Sequence, residues 1–577
     1  MEMVNGHVQL PLPFKTDDPK LPNNKGVAMK RLHQLKTKFL NKPKFADQYK
    51  TFMERVIKEG QAEIVPEGTN PSSVWYIPHH GIYHPRKPEK LRVVLDCASR
   101  YEGVSLNDVL LQGPNMTNNL LGVLLRFRQE EVAVVGDIES MFYQVKVAPQ
   151  HRDYLRFLWW EDGDLKNKPQ DYRMTVHVFG ATSSPGCANY SLKKVADLYE
   201  PEYGKDAAEF VRKGFYVDDG LLSVPTVEDA ASLVTRTRNM LKRGGFVLHK
   251  FLSNSTEFLQ TLPAETVAVK VNKLDLSDLP TEHTLGVLWN ASEDNFTFEA
   301  KLKEKPTTRR GILSTVSSIF DPFGFVGPYV LLGKRILQQV CAEGSDWDDP
   351  VEGEILQQWN EWKKQLPHLR DIVIDRCYKP IEQQPSRIVS AELHHFSDAS
   401  TLGYGQCSYL RLVNEQGHVK VSLLISKCRV CSLKVTTIPR LELVAAAVSV
   451  RIAGILREEL QYENIQEHFW TDSQVVLGYI NNAAKRFHTF VANRIQQIHD
   501  GSQPEQWHYI SSKDNPADFA SRGLNAENLK KCEMWWHGPM FLREGKYAIK
   551  EIDLPEITND DVEVKKAKVL ASHAAYT

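Results

Sequence analysis

"FYVDDGLLS", residues 215–223, sets two adjacent carboxylates inside an otherwise apolar run. Val217 and Leu221 suit a strand interior; Asp218 and Asp219 do not. Asp-Gly between apolar runs is a hairpin signal, because both residues tolerate the positive φ of a tight turn. Asp219-Gly220 therefore reads as the turn, with Gly220 making the hairpin. That leaves Asp218 unexplained unless other carboxylates share its site.

One such acid lies upstream. "VAVVGDI", residues 132–138, is a buried-strand run that ends in Asp137. Acids on adjacent strands of one sheet can meet, and phosphoryl transfer needs that arrangement. Its demands are in-line positioning and neutralisation of charge on the transferring phosphate. Two Mg²⁺ (or Mn²⁺) ions meet both, and carboxylates are the hard oxygen ligands that hold them. Around these runs, "TVEDAASLVTRTRNMLKRGG" reads as a helix, with Thr226 as N-cap and Gly244 near its end.

The wider composition sets bounds. A chain of 577 residues suggests about three to four domains. With 71 basic and 72 acidic residues the net charge is −1, so there is no global basic field and nucleic-acid contacts must come from local patches. No apolar signal segment opens the chain, and its longest apolar stretch, 443–456, is too short for a bilayer and carries Arg451. Eight cysteines in so long a chain read as reduced thiols, so an intracellular, cytoplasmic or nuclear location is expected, without a membrane. Cys428 and Cys431 form a lone C-x-x-C with no second pair at zinc spacing, and read as structural. His79, His80 and His84 of "PHHGIYH" also read as structural, since no acid or cysteine of suitable spacing joins them.

Several stretches together resemble the reverse transcriptases. "FYVDDGLLS" is similar to their YxDD hairpin. "VVGDIESMFYQV" resembles the motif in which an aromatic follows the first acid, "FGATSSPGCAN" the Gly and Ser-Pro motif, and "GGFVLHKF" the motif whose lysine lies near the nucleotide. "LGVLWN", 285–290, resembles the primer grip. "RVVLDCASRYEGVSLNDVLLQGPN", "DPFGFVGPYVLLGK", "IPRLELVAAA", "NPADFASRG" and "WWHGP" narrow the resemblance to the polymerases of BEL/Pao-type long-terminal-repeat retrotransposons, over about residues 10–545. This resemblance implies that Asp137, Asp218 and Asp219 are catalytic, with Asp137 and Asp218 the firmer metal ligands. It implies that Phe142 is a steric gate against a ribose 2′-hydroxyl and that Arg92 contacts the triphosphate. Gly180, Ser184 and Pro185 would let backbone approach the template–nucleotide pair. Lys250 is a candidate proton donor to pyrophosphate, with a surface lysine as the competing reading.

A second set of acids follows a polar, Pro-containing stretch, "KPIEQQPSR". Asp398 lies on a strand, Glu442 opens a helix, Asp472 ends a strand, and Asp518 follows Asn-Pro, where a helix can start. Each alone could be a cap or complement a helix dipole. In the order Asp–Glu–Asp–Asp, across three strands, a helix and a further strand, they resemble ribonuclease H. The resemblance implies a second two-ion site, with all four acids catalytic and metal-binding, that cuts the RNA of an RNA–DNA hybrid. Many ribonucleases H carry a histidine shortly before the last acid. Here that stretch is "ISSKDNPAD", and His508 lies earlier, on the strand.

The expected fold class is a multidomain α+β and α/β chain, a right-hand reverse transcriptase followed by a ribonuclease H-like mixed sheet. The expected segments are an N-terminal helical extension (1–69), fingers and palm (70–255), thumb and connection helices (256–385), a ribonuclease H-like domain (386–525) and a charged, loosely ordered tail (526–577). No aspartic-protease motif is present and 526–577 leaves no room for an integrase core, so the chain reads as the reverse transcriptase–ribonuclease H segment alone. Expected partners are RNA template, DNA primer, RNA–DNA hybrid and dNTPs, with self-association or retroelement particle proteins as further candidates. Two other readings stay open: a retroelement-derived nucleic-acid-binding protein without polymerase activity, and a nuclease only.

Overall fold

The apolar run before Asp137 forms the strand Val132–Ile138, buried along nearly its whole length. Its neighbours in a four-stranded sheet are Asp219–Val224 on one side and Leu248–Ser253 on the other, with Phe215–Tyr216 at the edge. Helices Ser184–Tyr203, Lys205–Lys213 and Val227–Arg243 pack with one another beside it. Thr226 caps the last of these by accepting from Asp229 N at 3.1 Å, and Gly244 is its C-cap, as the sequence pattern implies.

This chain was obtained as a computed structural model that describes residues 1–17, 19–69, 73–84, 87–268, 273–275, 285–300, 304–379, 387–434, 436–460, 462, 464–550 and 552–566. They divide into two compact units. The first comprises Met1–Asn119, Val134–Leu222 and Thr226–Val269; the second comprises Leu120–Ala133, Ser223–Pro225 and Lys270–Thr577. Of the boundary stretch expected near 380–390, residues 380–386 lie outside the described residues. Among the described residues no helix is long and apolar enough to cross a membrane.

In the first unit the amphipathic helix Lys25–Asn41 buries Ala28, Leu32, Leu35 and Phe39. Together with Pro43–Lys58 it roofs an aromatic core of Tyr49, Trp75, Trp159 and Trp160. The "PHHGIYH" stretch is a strand paired with Lys87–Leu95. His79 is buried there between Tyr49 Oη (2.5 Å) and Leu158 O (2.9 Å), and burial pulls its imidazole down to about 4, so it serves packing. The His84 side chain lies outside the description.

The second unit holds a five-stranded mixed sheet in the order Val419–Val430, Gly403–Asn414, Ile388–Ala399, Gln466–Thr471, Trp507–Tyr509. Its first three strands pair antiparallel and the last two join in parallel. The helix Ile438–Glu459 crosses one face on an alanine-rich side. Preceding it are helices Arg309–Val316, Gly327–Ala342 and Gly353–Gln365, where Tyr329, Trp359 and Trp362 stack. Cys428 and Cys431 are free thiols, the first of them buried.

The expectation of a loose tail is corrected. Trp535 is fully buried and donates from Nε1 to Phe325 O at 2.8 Å. Further on, Val564 is buried in the cluster formed by Leu443, Phe487 and Val491. Charge along the stretch hid a set of spaced apolar anchors, which is why composition misjudged it.

Candidate active sites

The first acid site forms where two neighbouring strands and a hairpin meet. The hairpin turn is Val217-Asp218, because Tyr216 pairs with Asp219 and Phe215 with Gly220. This corrects the Asp219-Gly220 turn expected from the sequence. Gly220 is instead a strand residue, and a Cβ on it would come within 2.7 Å of the Phe215 ring. Val217 supplies the positive φ, at 58°, which a β-branched residue adopts only under constraint. The constraint is visible: Asp218 O accepts from Ile138 N at 2.9 Å, pinning the turn to the strand that carries Asp137.

Burial raises the Asp218 carboxyl above its ordinary range, and the Asp137 charge pushes it further. Asp137 is held by His249 Nε2 at 3.0 Å and by the Lys250 ammonium. Lys250 has φ +52°, so the chain bends where it offers that ammonium. Asp219 is half-buried at the start of its strand. The Phe142 ring packs on Phe179, centroids 4.5 Å apart, and Phe179 is unusually exposed for a phenylalanine.

Gly180 sits at φ +106°, with Leu95 O only 2.5 Å from where a Cβ would stand, so only glycine fits. Asn107 clamps the same turn, donating to Gly180 O and accepting from Thr182 N, both at 2.9 Å. Sequence reading assigned Asn107 no role; its signal was an asparagine within a quoted motif. Ser184 is buried and begins a helix with Pro185 in its first turn. Arg92 is exposed on the strand Lys87–Leu95, opposite Ile82.

The second site gathers the other four acids in one unit. Asp398 ends its strand, Glu442 lies near the start of Ile438–Glu459, Asp472 follows Gln466–Thr471, and Asp518 is in the helix Ala517–Arg522. Burial drives the Asp398 carboxyl up to about 7. A hydrogen bond from Ser521 opposes that shift, and the charges of Asp472, Asp518 and Glu442 add to it. Burial likewise raises Glu442, with Asp472 contributing.

Each acid is held by a neighbour. Ser521 Oγ donates to Asp398, Ser473 Oγ to Glu442 (2.5 Å), Ser512 Oγ to Asp472 (2.5 Å) and Arg522 Nε to Asp518 (2.5 Å). Asn515, fully buried, donates to Ser397 O at 3.1 Å and ties the Asp518 helix to the Asp398 strand. Sequence reading found the acids and missed the three serines, which have no pattern of their own.

His508 does not join the acids. Its Nε2 lies 3.1 Å from His468 Nδ1 and its ring 4.9 Å from Trp470, while His468 in turn stacks on His394. Burial and the neighbouring histidine charges take it down to about 4.

Among the described residues no three His, Cys, Asp or Glu side chains form a ready-made metal group. The donor chemistry nonetheless fits a hard divalent cation. Asp398 is raised by three other carboxylates, and Asp472 Oδ1 is buried without a partner.

One family model matches part of the chain. Residues 308–473 match the family model described as a Pao retrotransposon-like RNaseH-like domain. That segment is similar to a Pao retrotransposon-like domain. That match includes Asp398, Glu442 and Asp472, and it agrees with the BEL/Pao resemblance of the motifs. The fold is similar to a solved foamy viral protease-reverse transcriptase dRH in complex with double-stranded DNA: 13% identity, TM-score 0.52, covering 89% of this chain and 73% of that one. It is also similar to a foamy viral protease-reverse transcriptase in complex with double-stranded DNA: 15% identity, TM-score 0.50, covering 88% and 89%. No curated protein matches the sequence.

Proposed function

We propose that this Pao-type chain is an RNA-directed DNA polymerase with ribonuclease H activity. One observation carries the reading: burial pushes Asp398 to about 7 and the charges of Asp472, Asp518 and Glu442 add to that, so three acids far apart in sequence lie within electrostatic reach of a fourth. The Asp137–Asp218 pair repeats that arrangement in the first unit. Asp137 and Asp218, with Asp219, would hold two Mg²⁺ or Mn²⁺ ions at the polymerase site; Asp398, Glu442, Asp472 and Asp518 would hold two at the nuclease site. Such ions supply the Lewis acidity that activates a 3′-hydroxyl or water and stabilises the leaving oxygen.

The chain's own groups do the positioning. The turn at Val217-Asp218 aims one carboxylate at the strand of the other. Phe142, braced by Phe179, forms a wall against which a deoxyribose fits and a 2′-hydroxyl would not. Ser473, Ser512 and Ser521 fix the orientation of three nuclease acids. RNA template, DNA primer, RNA–DNA hybrid and dNTPs are the partners this implies, on fingers and palm within 70–255, thumb and connection within 256–385 and a nuclease domain within 386–525.

The test is primer extension on an RNA template with Mg²⁺ and dNTPs, with hybrid cleavage followed in parallel. Asp218→Asn should abolish extension and leave cleavage, and Asp472→Asn should do the reverse. Extension unchanged in Asp218→Asn would sink the polymerase assignment. A second reading, nuclease alone, is favoured by one observation: Asp137 is engaged by Lys250 and His249. Cleavage without any dNTP incorporation selects it.

A further inference from the structure

Residues 552–566 form a strap across the second unit. They carry five acids, Asp553, Glu556, Asp560, Asp561 and Glu563, against Lys565 and Lys566. Ile552, Leu554 and Ile557 pack on the apolar cluster that Val564 enters. Backbone bonds fasten the strap: His488 N to Glu563 O (2.8 Å) and Lys565 N to Arg486 O (2.7 Å). Tyr479 Oη donates to Asp561 at 3.0 Å, and Lys485 Nζ to Asn559 Oδ1 at 2.5 Å.

Beneath it lies an imbalance of charge. Arg440 and Arg494 both sit over the Phe490 ring, 5.1 and 3.5 Å from its centroid. Glu563, buried, takes Arg440 with both oxygens, at 2.6 and 3.0 Å. Among the described residues Arg494 has no carboxylate partner and donates only to Phe490 O, at 2.9 Å. Burial lowers its guanidinium, and the Arg440 charge lowers it further. So two cations share one ring, and of the two Arg440 alone has an anion. Planar guanidiniums stacked on an aromatic face suit a phosphodiester, whose paired oxygens a carboxylate imitates.

The place matters as well. Arg440 is in the first turn of the helix that bears Glu442, and Tyr479 is on the helix Gln474–Ile480 that Ser473 caps beside Asp472. The strap therefore touches both helices that frame the nuclease acids.

We propose that the Arg440–Phe490–Arg494 stack is a phosphate-backbone contact for an RNA–DNA hybrid, and that Glu563 occupies it as an internal stand-in for phosphate. The inference rests on the ribonuclease H reading above. Hybrid binding then requires displacement of one acidic residue, which weakens binding and makes it less dependent on salt.

The experiment uses the full chain and a fluorescent RNA–DNA hybrid, with anisotropy read in EDTA over a salt series. Glu563→Gln should tighten binding about fivefold, the scale of one partly exposed ion pair. It should also steepen the log K–log salt slope by about 0.9, the value of one extra phosphate contact. Arg494→Gln should weaken binding and make the slope shallower by a similar amount. This second variant removes no described ion pair, so it decides the matter if Glu563→Gln melts early. Unchanged or weaker binding in a folded Glu563→Gln, or unchanged binding in Arg494→Gln, overturns the inference. Hybrid cleavage by the unsubstituted chain separates the two claims: cleavage with a silent strap defeats only the strap, and a responsive strap without cleavage defeats only the nuclease.

Discussion

Val217 is the residue on which the hairpin turns, and it is an unexpected choice. A β-branched side chain at φ +58° costs about 1–2 kcal/mol against its ordinary conformations. Glycine there would relieve the strain but lose about 0.5–1 kcal/mol of chain entropy. Val217→Gly is therefore expected to stabilise the hairpin by about 0.5–1 kcal/mol, read as slower exchange of the Leu221 amide, which bonds to Gly214 O. The acids of this hairpin stand out in the sequence, because charges in an apolar run are costly when they are left unpaired. The turn does not. Asp-Gly preference is local, whereas the register is set by which side chains the sheet buries, and Gly220 is needed in the strand to admit the Phe215 ring.

At the scale of single elements, the strand Ile388–Ala399 shows how a sheet divides its labour. Alternation sends His395 to the face of Phe469, and sends His394 and Asp398 to the other. Burial lowers His395 to about 3, and the His394 charge adds to that. A base whose folded value is depressed contributes stability in full above its unfolded value near 6.5, and that contribution is lost as pH falls below it. Between pH 7 and 5 the loss from this one residue is about 2 kcal/mol, so amide protection in Gly403–Asn414, corrected for intrinsic rate, should fall about thirtyfold. His395→Gln should flatten that fall.

Arg376 follows the short strand Ile374–Asp375, in a stretch no motif flagged. It is fully buried, grips Asp294 at 2.5 and 2.7 Å, and donates to the carbonyls of Phe127, Glu130 and Glu131. Arg376→Met should destabilise the second unit by about 3–5 kcal/mol, seen as an earlier melting transition, because it strands Asp294 and three carbonyls. Its importance was illegible because a single arginine in "VIDRCYK" carries no period and no spacing.

Across the whole molecule, the order of the seven acids is legible in the chain itself, and so is the mixed sheet with its three strands ahead of a long helix. Periodicity and chain order survive folding, which is why those features were accessible. Long-range assignments were not. The stretch Leu120–Ala133 belongs with residues beyond 270 rather than with its sequence neighbours. Its helix Leu120–Phe127 packs against Ile438–Glu459, and Arg126 pairs with Glu459. Nothing in "LLGVLLRF" names a partner more than 300 residues away. A fragment of residues 1–269 should therefore be poorly soluble, since it would bare Val123, Leu124, Leu125 and Phe127, each at most 1% exposed in the full chain. Size-exclusion chromatography of that fragment beside the full chain checks this, and a monodisperse monomer would count against it.

The same interleaving bears on how such genes can change. Were two of them to recombine, a single crossover near residue 270 would look like a clean exchange of one catalytic half for another. It would not be one. The hybrid gene would take Leu120–Phe127 from one parent and the helix that receives it from the other, so only parents already matched at that contact would yield a folded product. Two sequence-distant stretches are bound to be inherited together, and lineages of this fold should exchange both or neither.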